Sequence, residues 1–396
     1  MRILHVTPFF MPARSYGGPV ESVYRLCLGV AAAGCEVRVL TTNSDGIGRT
    51  LGVDTGRMIA MAAGFDVRYL RRRARHAVAP SIALPLLAEV RRADVVHLTG
   101  VYSFPTLPTL IAAAVLRKPL VWSPRGALQR WAGSRRVVAK RIWELACKPL
   151  AGRRTVLHVT SEQERVESLQ RFPRLSTVVI PNGVRIPQEP AFDPESDGSL
   201  RMGFIGRLDP KKGLENLLDA CAMVKADGAL FSLAIAGGGS ERYVRTLQNQ
   251  VATLGLDGNV RFVGEVHNRA KRKFFEGMNL LVVPSHTENF ALVVAEALAS
   301  GIPVIASHGT PWAALEDKGC GQWVNNSPAE LAQAIQRMRN APLATMGARG
   351  REWMAADFSW SGAARAMCNL YSSLVYGKPL FELDEAQTSR DSGRAA

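Results

Sequence analysis

The chain has 396 residues, 47% of them hydrophobic and 21% charged, and its 49 Lys and Arg exceed its 34 Asp and Glu to leave a formal charge of +15. That length is more than one hydrophobic core usually serves and predicts two domains. The composition excludes a fibrous, collagen-like or wholly disordered chain.

The first segment, MRILHVTPFF, carries one charge and runs straight into an apolar strand pattern, so no secretory leader is expected. Short β-branched runs then recur at 3–7, 36–42, 66–70, 94–98, 119–123, 156–160 and 177–180 with helical stretches between them. Such alternation predicts a parallel sheet covered on both faces. Basic residues gather within this half, at Arg71, Arg72, Arg73 and Arg75 and again over 135–141. They predict an anionic partner, whether nucleic acid, anionic lipid or a phosphorylated substrate, with a merely solvated basic face as the alternative. The longest apolar run, 107–116, is interrupted by Pro108 and falls short of the roughly 20 residues a bilayer span needs. A cytoplasmic protein, peripheral at most at the inner face of the membrane, is therefore expected.

Residues 181–199 hold Pro187, Pro190, Pro194 and Gly198 with little apolar periodicity, and the domain boundary is placed there. A second strand series follows at 201–205, 231–236, 259–263, 279–283 and 302–306. The expected division is a first domain over 1–185, a linker over 186–199, a second domain over 200–360 and a last helix over 361–376 that returns to the first domain. The polar end, 377–396, reads as a disordered tail. Six cysteines, spaced too far apart for a zinc motif, read as reduced thiols.

Two segments of the second half carry chemistry. In GFIGRLDPKKGLENLLDA, 203–220, a strand turns through glycine into an amphipathic helix with Arg207 in the turn and Lys212 before Gly213. Two cations beside a helix start suit a diphosphate, although a strand-to-helix turn with solvated cations is common. In PSHTENFALVVAEALASGIPVIAS, 284–307, a strand ends at Pro284, a helix is expected from near Asn289 with Thr287 or Asn289 as its cap, and Glu288 and Glu296 stand eight apart. Carboxylates there accept hydrogen bonds from sugar or ribose hydroxyls, while the amides of Asn289, Phe290, Ala291 and Leu292 can receive a phosphate. Alternatively Glu288 compensates the helix dipole and Glu296 is a surface residue. Gly237, in a run of three glycines, permits close approach of its loop to a ligand, and Trp312 either stacks on a ring or packs in the core.

The E-x7-E spacing, the turn GRLDPKKG, the run ALASGIPVIA and the N-terminal stretch 8–42 with Gly17 and Gly18 together resemble family-4 retaining glycosyltransferases, over roughly residues 1–375. The resemblance implies the GT-B architecture, an α/β fold of two Rossmann-like parallel-sheet domains facing each other across a cleft. It implies that Arg207 and Lys212 meet the donor diphosphate, that Glu296 binds the ribose, and that Glu288 faces the transferred sugar. Gly17 and Gly18 would let the first-domain loop approach the donor. It further implies a hexosyltransferase that retains configuration, without metal or other cofactor, in bacterial cell-surface polysaccharide synthesis. Its expected partners are a UDP- or GDP-sugar, a glycan or lipid-linked acceptor and an anionic membrane surface, with no nucleic acid.

Two departures from the family pattern stand out: Arg125 replaces a frequent His in SPRGAL, and Ala291 replaces the Gly after Phe290. Arg125 can hold a phosphate but cannot act as a base near neutral pH. His97, ending a strand, is a second expected contact for the acceptor, with a packing role as the alternative. The competing readings are another GT-B enzyme such as a sugar phosphorylase or nucleotide-sugar epimerase, a noncatalytic sugar-binding relative, and a basic nucleic-acid-binding protein, against which no recognition signature appears.

Overall fold

The computed structural model describes residues 1–46, 48–61, 64–75, 77–130, 136–191 and 199–377. The expected tail therefore lies outside the described residues, apart from Gly377. Two compact units emerge, one holding the chain up to Gly183 and again from Trp360, the other Val184–Ser359.

The first unit runs β1 (Arg2–Val6), α1 (Gly18–Ala32), β2 (Glu36–Thr42), β3 (Met58–Met61), β4 (Phe65–Leu70), α2 (Ala83–Arg92), β5 (Val95–Thr99), α3 (Thr106–Val115), β6 (Leu120–Ser123), α4 (Val137–Cys147), β7 (Thr155–Val159), α5 (Glu162–Arg171) and β8 (Ser176–Val179). These strands form one sheet in the order β3-β4-β2-β1-β5-β6-β7-β8, parallel except for the edge hairpin β3-β4. β5, β6 and β7 are buried along their whole length, as an apolar run must be when helices cover both faces. One face packs Leu4, Leu98, Trp122 and Leu157 beneath α2, α3 and α4, and the other packs Ile3, Val39, Val95 and Val121 beneath α1.

The second unit runs β9 (Leu200–Ile205), α6 (Leu214–Ala226), β10 (Phe231–Ala236), α7 (Glu241–Thr253), β11 (Val260–Gly264), α8 (Asn268–Glu276), β12 (Leu280–Val283), α9 (Leu292–Ala299), β13 (Val304–Ser307), β14 (Gly321–Val324), α10 (Pro328–Arg339) and α11 (Leu343–Asp357). Its sheet, β11-β10-β9-β12-β13-β14, is parallel throughout. Serine caps start two of its helices, Ser240 accepting from the Tyr243 amide and Ser327 from the Glu330 amide, with Pro328 pre-set at the first position of α10.

The chain leaves the first unit at Gly183 and re-enters it at Trp360 for α12 (Trp360–Tyr376). Where it enters and leaves the second unit, the Val184 amide donates to the Phe358 carbonyl at 2.7 Å. α12 lies along α1 and sends Met367, Leu370 and Tyr371 into the first core, so closely that a Cβ on Gly29 would stand 2.7 Å from that of Ala364.

Candidate functional site

In the second sheet, β9 continues to β10 on one side while its other neighbour, β12, continues outward to β13. The chain therefore reverses its direction of winding between β9 and β12. Loops leaving the carboxyl ends of two such strands diverge and open a crevice, the usual ligand position of an open α/β sheet. The loop after β9 carries Arg207, Lys211 and Lys212, and the loop after β12 carries Ser285, Thr287 and Glu288.

These loops are pressed together backbone to backbone. Gly213 stands at φ 63° with its missing Cβ directed at the Pro284 carbonyl, and a Cβ on Gly237, at φ 146°, would overlap the carbonyl oxygen of Gly206. Only glycine fits both the conformation and the space. The His286 amide donates to the Lys211 carbonyl at 2.9 Å, and the Glu288 amide to the Gly309 carbonyl at 2.7 Å. Four consecutive strand-end loops thus form one rigid edge.

Glu288 is buried in that edge, paired with Lys212 and accepting from the Ser285 hydroxyl at 2.8 Å. Burial pushes its carboxyl up, but Lys212, Lys211 and the Ser285 hydroxyl outweigh it and hold the group below the usual carboxylate range. Lys211 was not anticipated from sequence. Burial lowers its ammonium, Glu288 opposes this, and Lys212 and Arg207 lower it further. Arg207 is exposed, with no hydrogen bond or ion pair to any described residue. Lys212 and Lys211 act on the Glu288 carboxylate, while Asp209 and Arg207 act in turn on Lys211, leaving a cationic excess that an incoming anion would relieve. The Thr287 hydroxyl, buried beside Glu288, lacks a partner among the described residues and caps no helix.

The helix expected from near Asn289 begins at Leu292, because Ala291 takes the left-handed conformation at φ 54° and ψ 62° and breaks the turn before it. A glycine would hold that conformation without its Cβ penalty. The amides open at the helix start are therefore those of Leu292 and Val293, which have no preceding turn to bond. Phe290 is buried against Trp312, whose indole N–H donates to the Phe290 carbonyl at 2.6 Å. Trp312 packs in the core with Trp353 and Phe358 and offers no ring to a ligand. Glu296, in the second turn of α9, receives Lys271 of α8 on both oxygens at 2.6 Å. Lys271 had no signal in the sequence beyond a basic helix face. A carboxylate offers about four acceptor positions, so one ammonium leaves room for a hydroxyl donor.

In the first unit the corresponding winding reversal lies between β1 and β5. Gly17 and Gly18 stand at the start of α1 with nothing within 4 Å of where a Cβ would be. His97 is not at an open edge as expected. It is fully buried, accepting or donating at 2.7 Å to Ser123 Oγ and at 2.6 Å to Tyr371 Oη, with Ser123 in turn 2.7 Å from His158 Nδ1 and His158 Nε2 3.0 Å from the Ile180 carbonyl. His5 stacks on His97 at 4.3 Å. Burial, and then Arg125, hold His5 and His158 at about 3, and burial with the same neighbours carries His97 well below its usual value. All three stay neutral near pH 7. The reason is positional: a residue inside a strand covered on both faces has only protein to bond.

Arg125 follows β6 with a left-handed backbone at φ 53° and donates to Asn182 Oδ1 at 2.6 Å. Burial lowers its guanidinium and the nearby Glu164 carboxylate opposes that. Its Nε is buried without a partner among the described residues.

The chain matches the model described as Glycosyltransferase Family 4 over residues 16–186 and the one described as Glycosyl transferases group 1 over 187–353. It is 33% identical over 190 residues to a D-inositol 3-phosphate glycosyltransferase of Frankia alni, covering 45% of this chain and 46% of that one. A protein of the same name from Corynebacterium efficiens is 28% identical over 255 residues, 59% of each chain. The chain spans about half the length of the curated relatives it matches. Among solved structures it is similar to sucrose-phosphate synthase from Thermosynechococcus elongatus, with a TM-score of 0.72 at 23% identity over 95% of this chain and 99% of that one. It is similar also to Anabaena HepE solved with UDP-glucose, with a TM-score of 0.72 at 20% identity over 94% and 100%. The fold is that of the GT-B class.

Proposed function

The chain belongs to glycosyltransferase family 4, and from that premise we propose that it moves a hexose-type sugar from a UDP- or GDP-linked donor to a glycan or lipid-linked acceptor, with retention and without metal. The observation that carries this reading is the cationic excess at the winding reversal of the second sheet, where Lys211 and Lys212 face Glu288, and Arg207 and Asp209 act on Lys211. A departing nucleoside diphosphate gathers negative charge. Fixed cations and the first amides of α9 stabilise that charge as it forms, the part a divalent ion plays in other transferases.

In this reading Arg207 and Lys212 meet the diphosphate, Glu288 faces the transferred sugar, and the backbone of Asn289, Phe290, Ala291 and Leu292 lies beside it. Glu296 holds the ribose while keeping Lys271, and Gly237, Gly17 and Gly18 let backbone approach the donor. The Thr287 hydroxyl joins this set, since a buried hydroxyl without a partner costs about 1–3 kcal/mol that a sugar hydroxyl would recover. Arg125, with its unpartnered Nε, holds a phosphate of donor or acceptor. Glu288 is already engaged as a carboxylate, so the leaving phosphate itself takes the acceptor proton during front-face attack. HepE was solved with UDP-glucose, which makes UDP-sugars the first donors to try.

We place the enzyme at the cytoplasmic face of the membrane in cell-surface polysaccharide synthesis. Among the described residues no helix is long and apolar enough to cross a bilayer. A thermal-shift panel of UDP- and GDP-sugars tests the donor reading, a ligand at 100 times its Kd giving about 2.7 kcal/mol of stabilisation. Arg207→Ala and Glu296→Ala are expected to lose that shift. If both bind the best donor as wild type does, the donor site lies elsewhere. Retention is read from the product anomer by NMR, and metal independence from unchanged turnover in a chelator.

A further inference from the structure

Folding sorts the six cysteines into two kinds. Cys27, Cys147, Cys221 and Cys320 are buried, whereas Cys35 and Cys368 are half-buried. These last two lie 333 positions apart in the chain, yet their sulfurs stand 3.8 Å from each other. Buried thiols are placed differently, Cys27 against His5 Nδ1 at 3.6 Å and Cys320 donating to the Leu315 carbonyl at 3.6 Å.

Both sulfurs of the pair hang on fixed backbone. Helix α1 ends at Ala32 and the chain turns through Gly34 at φ 87°, the Gly34 amide donating to the Ala31 carbonyl at 2.9 Å and the Cys35 amide to that of Val30 at 3.3 Å. These two bonds make a Schellman cap, which sets Cys35 between the end of α1 and the start of β2. Cys368 lies on α12 one turn beyond Ala364, whose methyl packs on Gly29 of α1, and one turn before Tyr371, which bonds His97. Ala364 and Tyr371 are each 1% exposed, so α12 cannot turn Cys368 away without drawing both out of the core. A disulfide holds its sulfurs about 2.05 Å apart, and closure therefore asks the two side chains together for a movement of about 2 Å. Burial, and then Cys35, push the Cys368 thiol up to about 12, so near neutral pH it keeps its proton and leaves Cys35 to meet an oxidant first.

We propose that Cys35 and Cys368 form a redox modification site, in which hydrogen peroxide joins them in a reversible disulfide that clamps α12 onto the first domain. The Cys35 sulfur takes one oxygen from the peroxide, releasing water, and becomes a sulfenic acid. The Cys368 sulfur then displaces that oxygen, which leaves as a second water carrying the Cys368 proton. The two thiols give up two electrons and two protons, and the peroxide O–O bond takes them up. Exchange with a small thiol restores the pair, so the bridge is transient in a reducing compartment. Its consequence comes from what it spans: both passages between the domains, at Gly183 and Trp360, fall inside the loop it closes. A loop so long costs the unfolded chain much of its freedom, and α12 can no longer leave α1 on its own.

The experiment treats the reduced full chain with hydrogen peroxide, blocks the remaining thiols with N-ethylmaleimide and maps peptides without reductant. A peptide pair joining Cys35 to Cys368 is expected, with faster migration on a non-reducing gel and a melting temperature raised by about 5 °C or more, all reversed by dithiothreitol. Cys35→Ser and Cys368→Ser are each expected to abolish these changes while melting, when reduced, as reduced wild type does. Cys368→Ala takes the place of the serine variant if serine at this half-buried position lowers the melting temperature. In urea, with α12 unpacked, bridging at the same peroxide dose is expected to fall at least about tenfold, since the sulfurs then meet only by closing a long loop. The proposal is overturned if both thiols stay free or pair with others, if Cys35 passes to a sulfinic acid without bridging, or if the substituted chains keep the effects of the bridge. An unchanged yield in urea, a disulfide between two chains, or a bridge that leaves the melting temperature where it was overturns it as well.

Discussion

The two sheets wind alike and handle polar groups oppositely. In the first, histidines sit within the strands themselves, on β1, β5 and β7, and burial keeps them neutral, His158 and His97 in a chain of hydrogen bonds running from Ile180 through Ser123 to Tyr371 and His5 against Thr99 Oγ1 at 2.9 Å. In the second, β12 is apolar along its length and β9 carries one ionisable side chain, Arg201, near its start, while Arg207, Lys211, Lys212 and Glu288 stand in the loops beyond the carboxyl ends. A polar group inside a doubly covered strand must find its partners at folding, whereas one just past the strand end is left open for a partner that arrives later. Similar topology therefore yields a self-satisfied network in one half and an unbalanced charge cluster in the other.

The largest effect that would test this contrast lies in the packed loops. Gly237→Ala drives a Cβ into the Gly206 carbonyl and is expected to cost more than about 4 kcal/mol, read as lost expression or a collapsed unfolding midpoint. A mild effect would mean that the edge of the second sheet is softer than its backbone contacts require. Next, Lys212→Ala is expected to lower kcat by about 10²–10³, the loss usual for one preorganised group at a developing charge. His97→Gln should destabilise the protein yet leave kcat of the folded enzyme unchanged. Equal losses of kcat in both would erase the distinction between the halves.

Acid should act mainly on the first domain. His5 and His158 titrate at about 3 when folded, against about 6.5 in an unfolded chain, so below pH 6.5 the unfolded state takes up protons that the fold refuses. Stability is complete above that pH and falls as the solution is acidified, by about 2 kcal/mol per histidine at pH 5. Denaturation curves at pH 7.5, 6 and 5 measure the slope, and His158→Gln should flatten it. The smallest change concerns Ala291, where Gly removes a left-handed penalty of about 1 kcal/mol. A raised melting temperature with donor affinity retained is the expected result.

Much of this was legible in the sequence, and the omissions have physical causes. The central strands announce themselves because burial on both faces demands unbroken apolar runs, as in VVHLT and LLVV. The edge strands β3 and β14 went unseen: β3 is only half-buried and β14 reads GQWV, so neither needs that pattern. Within the candidate site, Arg207, Lys212, Glu288 and Glu296 stand out in the sequence by their place in a turn or helix start. Lys271 and the partner-free Thr287 hydroxyl do not, because each matters only through a neighbour brought near by folding. His97 misled for the complementary reason, since its nearness to a strand end in sequence says nothing of the Tyr371 hydroxyl that closes over it from 274 residues away.

That closing helix also sets an order of assembly. A ribosome that has made the chain as far as Gly183 has supplied all eight strands of the first sheet but not Met367, Leu370 or Tyr371, which its core requires. The second domain, contiguous from Val184 to Ser359, leaves the ribosome with every piece it needs. The later-made domain is thus the first that can finish folding, and the half-built earlier one waits with an uncovered α1 until the last helix arrives.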